Sequence, residues 1–375
     1  MDKKIRKIMF HINSLGKGGA ERVVSLLANE FVKDGVEVVI ATEWYAEEEY
    51  DLEPKVKRIH AGLSEAQEKG NRIAKQWYRI HNLHKALRQE KPDVILSFCA
   101  KANYRALMAA TGTGIPVIVS VRNDPKIDYV GTSKSIMNKL FLNRAAGCVF
   151  QTQEAQEFFD EVLQKKSIII CNPVNEKYLK AERKIPKKKI VCVGRLVAQK
   201  NQMLLVNAFE KILEKYPEYH LYLYGDGSDD ECKEELLQYV AEKEVNQIHF
   251  MGLSSTLETD MADAAMFVLP SNYEGMPNAL MEAMALGLPV ISTDCPCGGS
   301  RYWIESGVTG QLVPVKDRDA MVKAMEFYIQ NSIKAEEMGA EARVRLQEAT
   351  VDKIFGQWKN YIERQLAYVR NLRFL

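Results

Sequence analysis

Short apolar runs alternate along the chain with longer stretches in which apolar residues recur every three or four positions. In the first half the runs are Lys7 to Ile12, Val36 to Ala41, Pro92 to Phe98, Pro116 to Val121, Gly147 to Gln151 and Ser167 to Cys171. They are brief, rich in β-branched residues and nearly continuous in apolar character, the pattern of strands covered on both faces. The second half repeats the plan with Lys189 to Gly194, His220 to Tyr224, Gln247 to Met251, Met266 to Pro270, Pro289 to Thr293 and Gln311 to Val315. Helical patterns fill the intervals, so the chain predicts an α/β protein of two doubly wound parallel-sheet domains. Their expected extents are 1–180 and 181–354, with the lysine-rich Lys184-Ile-Pro-Lys-Lys-Lys189 as linker. From about Asp319 onward the pattern is helical, and 355–375 is expected as a final helix carrying Phe355, Trp358, Tyr361 and Leu366.

Length agrees, since 375 residues exceed what one core usually spans. The balance of 51 basic against 50 acidic residues argues against general nucleic-acid binding, which leaves a markedly basic domain. Seven cysteines are scattered, and Cys295-Pro-Cys297 is too closely spaced for a zinc or redox pair, so reduced thiols in a cytoplasm are expected. The run Ile8 to Ile12 is too short for a secretory signal, and no window reaches the roughly 18 apolar residues of a membrane span. Two segments still suit a membrane surface. Asn71 to Lys91 carries Arg72, Lys75, Arg79, Lys85, Arg88 and Lys91 against Glu90, and Lys134 to Arg144 sets Ile136, Met137, Leu140 and Phe141 beside Lys134, Lys139 and Arg144. Adsorption to anionic lipid and packing on the domain's own core are both open for such helices.

The chemistry concentrates between Ser271 and Asp294. Two carboxylates, Glu274 and Glu282, stand eight positions apart with Gly275 and Pro277 forming a turn between them. Proline suits a first helical turn, so a helix is expected to start near Pro277, its N–H groups around Asn278 and Ala279 attracting an anion such as phosphate. Glu282 falls among Leu280, Met281, Ala283, Met284, Ala285 and Leu286. A carboxylate buried there needs partners: ligand hydroxyls, an arginine or backbone N–H groups, and burial alone does not choose. Taken by itself, Glu282 reads as a structural salt bridge. Upstream, Lys189 to Asn201 reads as a strand ending at Gly194, then Arg195 and Lys200. Two cations at a strand's carboxyl end suit a diphosphate. Tyr219 to Gly227 is another strand entering a glycine-rich turn.

In this order and spacing these pieces resemble the retaining glycosyltransferases of family 4, which have the GT-B fold of two Rossmann-like domains around a cleft. The resemblance extends to Ser14-Leu-Gly-Lys-Gly-Gly-Ala-Glu-Arg22, to Cys171-Asn-Pro-Val174 and to the whole second half, the Glu-x7-Glu element being its most specific part. It implies that Glu282 holds ribose hydroxyls and that Glu274 lies beside the donor sugar. Gly275, Met276, Pro277, Asn278 and Ala279 would line the sugar and diphosphate, and Arg195 and Lys200, next to Gly194, would stabilise the leaving diphosphate. It further implies a terminal helix returning to the first domain and hinge closure that excludes water. The implied activity moves a hexose or N-acetylhexosamine from a nucleotide diphosphate sugar, expected to be UDP, to a glycan or lipid-linked acceptor of cell-surface polysaccharide. No cofactor and no metal is implied.

One position departs from this picture, and the glycine loop admits a second reading. Gly16-Lys-Gly-Gly19 follows a strand and precedes a helix near Ala20, so Gly16, Gly18 and Gly19 are donor-site candidates. With Glu43 at the end of the next strand, 24 positions after Gly19, the loop also fits an NAD-dependent oxidoreductase loosely. Many family members carry a histidine where Pro116 to Pro125 places Arg122, and arginine is no general base. Retaining transfer does not demand one, so Arg122, Asn123 and Asp124 are kept as site candidates against the reading of a capped turn before Pro125. A non-catalytic nucleotide-sugar-binding module is the further alternative. Asp317-Arg-Asp319 matches a metal-site D-x-D but lies where aspartate caps a helix; His81 and His84 lack a third ligand; the Pro296 to Ser300 loop is a weaker donor-facing candidate.

Overall fold

A computed structural model describes residues 5–16, 18–227 and 231–373. The first sheet contains β1 (Lys7–His11), β2 (Glu37–Thr42), β3 (Lys57–His60), β4 (Val94–Phe98), β5 (Val117–Ser120), β6 (Gly147–Phe150) and β7 (Ser167–Ile169), in the order β3-β2-β1-β4-β5-β6-β7. The second contains β8 (Lys189–Val193), β9 (His220–Tyr224), β10 (Ile248–Gly252), β11 (Met266–Leu269), β12 (Val290–Thr293) and β13 (Gln311–Val313), in the order β10-β9-β8-β11-β12-β13. All pairings are parallel; Phe10, for instance, registers with Ile40 on one side and Leu96 on the other. Both sheets are the doubly wound kind expected from the apolar runs. One strand, β3, has no such run: it is a polar edge strand, Lys-Arg-Ile-His, with no buried residue.

The chain divides into two compact units, 1–173 with 352–375 and 174–351. The boundary therefore falls at Pro173, ahead of residue 180, and the lysine-rich segment lies inside the second unit. There the Lys184 N–H donates to the Ala262 carbonyl at 3.0 Å, and Lys187 and Lys189 pair with Asp263 at 2.8 and 3.1 Å. Lysine and proline gave it a linker's composition, but these bonds make it the lead-in to β8.

The terminal helix Val351–Arg373 completes the first unit. Trp358 is fully buried and stacks on Phe98 at 5.6 Å, while Phe98 stacks on Phe10 at 6.1 Å. The Tyr361 hydroxyl donates to the carbonyls of Lys166 (2.5 Å) and Cys148 (3.1 Å) and accepts from the Cys148 N–H at 2.8 Å. The second unit has its own core, in which Phe209, Leu221 and Met325 are fully buried.

His11 closes β1 in a dry place. Its ring is 1% exposed, Nδ1 donates to the Ala41 carbonyl at 3.1 Å, and Nε2 has no hydrogen-bond partner among the described residues. Burial, with a smaller push from Arg105, lowers its pKa to about 4 although the Ala41 bond acts the other way. The folded ring therefore stays neutral where the unfolded one, titrating near 6.5, takes up a proton. This stability is fully present above pH 6.5 and is lost as pH falls toward 4. Urea titrations should show wild-type stability falling by about 2 kcal/mol from this group between pH 6.5 and 5, and His11→Asn should flatten that part of the slope. Trp358→Ala should cost about 3–5 kcal/mol in the same assay, because the indole is wholly enclosed.

Candidate functional site

Strand order in the second sheet reverses between β8 and β11, and open parallel sheets bind ligands outside the carboxyl ends at such a point. Gly194 to Asn201 leaves β8 there, and Pro270 to Pro277 leaves β11. The two loops are sewn together. The Asn272 N–H donates to the Gln199 carbonyl at 2.8 Å, its side-chain amide donates to the Ala198 carbonyl at 2.8 Å, and Gln199 Nε2 donates to the Tyr273 carbonyl at 3.0 Å. Gly225, with φ +131°, backs directly onto the Gly194 carbonyl, where a Cβ would collide.

At the seam Lys200 Nζ donates to Glu274 Oε1 at 2.5 Å, and the Ser271 hydroxyl donates to the same oxygen at 2.6 Å. Gln199 Nε2 reaches Oε2 at 3.5 Å. The two side chains are only 16% and 7% exposed, so this is a desolvated, neutralised pair. The backbone of Glu274 is fixed as well: its N–H donates to the Pro296 carbonyl at 2.9 Å and its carbonyl accepts from the Cys297 N–H at 3.1 Å. The loop after β12, a weaker candidate from sequence, is thus the wall behind Glu274. Ser271 is held in turn by the Thr293 hydroxyl, which donates to its carbonyl at 2.6 Å. Burial pushes the neighbouring Cys192 and Cys295 thiols up to about 12, so neither is a nucleophilic thiolate.

The helix expected from Pro277 runs Asn278–Ala285, with Pro277 as its N-cap and not its first residue. Asn278 and Ala279 are half-buried, and Glu282, one turn in, is 5% exposed between buried Met281 and Ala283. Met276 is pinned by Trp303, whose Nε1 donates to its sulfur at 3.0 Å, and Gly275 lies so close to Gly299 that a Cβ on the latter would strike the Gly275 carbonyl. Arg195 is exposed, and its side chain has no partner among the described residues. Glu274, Lys200, Arg195, Gly194 and the 275–282 segment therefore share one sheet edge in the second unit.

The remaining candidates belong to the first unit. Gly16 pairs with Glu49 in an isolated bridge, the Gly18 N–H donates to the Gly16 carbonyl at 2.7 Å, and Gly18 caps the helix Gly19–Lys33. The Glu21 carboxylate folds against Gly18, so that helix start already has an anion beside it. Arg122 follows β5. Its Nη1 donates to Asn172 Oδ1 at 2.9 Å, and its guanidinium lies over Phe98 (4.9 Å) and Trp358 (5.4 Å). Burial lowers its pKa to about 10, which leaves it a cation at neutral pH; Nε and Nη2 are buried with no hydrogen-bond partner among the described residues. Asn123 bonds the Asp128 carboxylate, and Asp124 Oδ1 accepts from the Lys126 N–H at 2.9 Å, so the turn before Pro125 is indeed capped. Glu43, the acid a ribose-binding role in a dehydrogenase would need, is committed to Arg79 at 3.1 Å and to Arg105. Asp317 accepts from the Ala320 N–H at 2.8 Å as a helix cap.

Ser271, Gln199 and Asn272 were not singled out by the sequence. Only adjacency pointed to them: Gln199 precedes Lys200, and Ser271 lies one turn before Glu274.

Two doubly wound units, the second with two loops sewn together at its switch point, have the architecture of the GT-B glycosyltransferases. Residues 17–178 match the family described as Glycosyltransferase Family 4 and residues 187–331 that described as Glycosyl transferases group 1, and the chain belongs to family 4. An alpha-1,4-N-acetyl-D-galactosaminyltransferase of Campylobacter jejuni is 25% identical over 378 residues, spanning 95% of this chain and 98% of that one. An alpha-1,3-galactosyltransferase of Escherichia coli is 26% identical over 278 residues, 68% and 70% of the two chains. The crystal structure of Anabaena HepE in complex with UDP superposes with a TM-score of 0.78 at 18% identity, covering 96% of this chain and all of that one. The oxidoreductase alternative falls with these findings.

Lys200→Ala should lower stability by about 3–5 kcal/mol, since it strands a buried carboxylate. Adding Glu274→Gln should recover part of that loss in denaturant melts, a coupling that two independent sites would not show.

Proposed function

We propose that this chain transfers a hexose or N-acetylhexosamine, with retention of configuration, from a UDP-sugar to a hydroxyl of a glycan on a lipid-diphosphate carrier at the cytoplasmic face of a membrane. One observation carries the reading: the Lys200–Glu274 pair stands at the β8/β11 switch point, with exposed Arg195 on the same loop and the Asn278–Ala285 helix four residues beyond Glu274. A diphosphate entering there meets exposed Arg195, the lysine end of the Lys200–Glu274 pair and a helix amino terminus, and Glu282 lies one turn deeper for hydroxyls of the nucleotide.

Transfer then needs little covalent help. The bond from the anomeric carbon to the diphosphate oxygen breaks, and the acceptor oxygen bonds to the same face of that carbon. The hydroxyl proton passes to the departing oxygen, whose charge Arg195 and Lys200 hold. No protein base is required, which accommodates Arg122 in place of a histidine; as a desolvated cation it suits an anionic or hydroxyl-rich ligand, with Asn123 orienting the turn beside it. Support for UDP and for retention comes from the Escherichia coli relative, named for a UDP-Gal donor and an alpha-1,3 product, and from HepE crystallised with UDP. Support for the acceptor comes from the same relative's diphosphoundecaprenol-linked acceptor and the PP-undecaprenol glycan in the Campylobacter jejuni name. No cofactor and no metal enters this scheme.

Membrane contact is supported by the first unit's surface. On the helix Arg72–Glu90 only Leu83 and Leu87 are buried, while Ile73 and Trp77 are 82% and 58% exposed beside Lys75 and Arg79. On the helix Thr132–Phe141, Ile136 and Leu140 are 55% and 51% exposed. Among the described residues no helix is long and apolar enough to cross a membrane.

Isothermal calorimetry should detect UDP binding to the wild type and none to Glu282→Ala, with the variant's melting curve intact; unchanged affinity would remove Glu282 from the site. A panel of nucleotide sugars followed for slow hydrolysis identifies the donor, and hydrolysis of none would overturn the reading. In flotation assays the chain should rise with anionic vesicles and not with neutral ones, and Ile73→Ser with Trp77→Ser should abolish that recovery.

A further inference from the structure

The loops that lead into β5, β6 and β7, with the last turns of the terminal helix, line an open cavity of about 1150 Å³ at the amino edge of the first sheet. Arg122 marks the opposite, carboxyl edge of β5, so this hollow is separate from the candidates described above. Its charge is one-sided. Arg144, Lys165, Lys166 and Arg364 line it, and no carboxylate does among the described residues.

Little inside the protein neutralises those cations. Lys166 Nζ donates to the Asn143 carbonyl at 2.6 Å, and burial holds its pKa below the usual lysine value. Asp160, the carboxylate that acts on it, is already engaged by the Leu163 N–H at 3.2 Å and Asn143 Nδ2 at 2.8 Å. Lys165 meets Glu161 one turn away at 3.0 Å, but both side chains are more than three-quarters exposed, where such pairs count for little. Arg364 lies over the Tyr361 ring at 5.4 Å, and neither it nor Arg144 has a carboxylate partner among the described residues. Val162, Tyr368 and Val369 add an apolar wall.

We propose that this cavity binds an organic phosphate ester, its phosphoryl oxygens on the four cations and its flat or aliphatic body on the Val162–Tyr368–Val369 wall. Four like charges around one hollow repel each other, and a bound anion relieves that repulsion. The volume greatly exceeds one phosphate group and lies a little above the roughly 300–1,000 Å³ of ordinary small-molecule sites. The proposal does not depend on the transferase reading.

The probe is 4-methylumbelliferyl phosphate, titrated by fluorescence into the full chain with and without UDP. Saturable binding that UDP does not displace is expected. Arg144→Gln and Arg364→Gln, both at exposed positions, should each weaken it about tenfold, with UDP affinity and melting curves unchanged, and unphosphorylated 4-methylumbelliferone should not saturate. Displacement by UDP that is lost in Glu282→Ala, equal affinity in the variants, or equal affinity for the phosphate-free probe would each overturn the proposal. Vesicles of phosphatidic acid in phosphatidylcholine separate the sources: retention lost in Arg144→Gln points to a lipid headgroup, and soluble binding without such retention points to a free ester.

Discussion

The desolvated ion pair between Lys200 and Glu274 is the constraint on which the second unit's site rests. It joins two loops whose anchoring residues lie 74 apart in sequence. Without it either side chain would be a lone charge in a place that is nearly dry, a state costing several kcal/mol. Because Ser271, Gln199 and the Pro296 carbonyl also hold Glu274, the carboxylate cannot drift, and the turn from Gly275 to Pro277 inherits its position. The helix Asn278–Ala285 then starts where that turn leaves it, carrying Glu282 inward.

The first unit handles its buried charges differently. Arg122 lies against a stacked pair of aromatic rings with one hydrogen bond, and Glu43 is shared by two arginines. These arrangements leave positive charge in excess at the carboxyl edge of the sheet, where burial strengthens whatever it meets. A helix amino terminus already faced by Glu21 contributes less to anion binding than its glycines suggested.

Much of this was readable from sequence because strands buried on both faces must be apolar throughout, as β1, β4, β5, β6, β11 and β12 nearly are, while partly buried β7, β10 and β13 still keep short apolar runs. β3 does not, since an edge strand with polar side chains on both faces has no run to detect. The linker misled for a related reason: lysine and proline describe a solvent-exposed segment, and composition does not reveal that Asp263 and the Ala262 carbonyl tie it down. Glu274, Lys200 and Glu282 were legible as chemistry at a strand's end. That Lys200 grips Glu274 was not, because pairing across loops is decided by packing. The surroundings of Arg122 were equally hidden, with Trp358 arriving 236 positions later.

That late arrival has a consequence for biosynthesis. A ribosome delivers all seven strands of the first sheet, and then the whole second unit, before it delivers Trp358 and Tyr361. Until residues 358 and 361 have been made, Phe98 lacks its stacking partner and the Cys148 and Lys166 carbonyls lack their phenol. The second unit, contiguous from 174 to 351, can mature while the nascent first unit still waits for its final helix. A truncated message would thus yield one finished lobe and one with an open seam, the kind of product that quality-control proteases recognise.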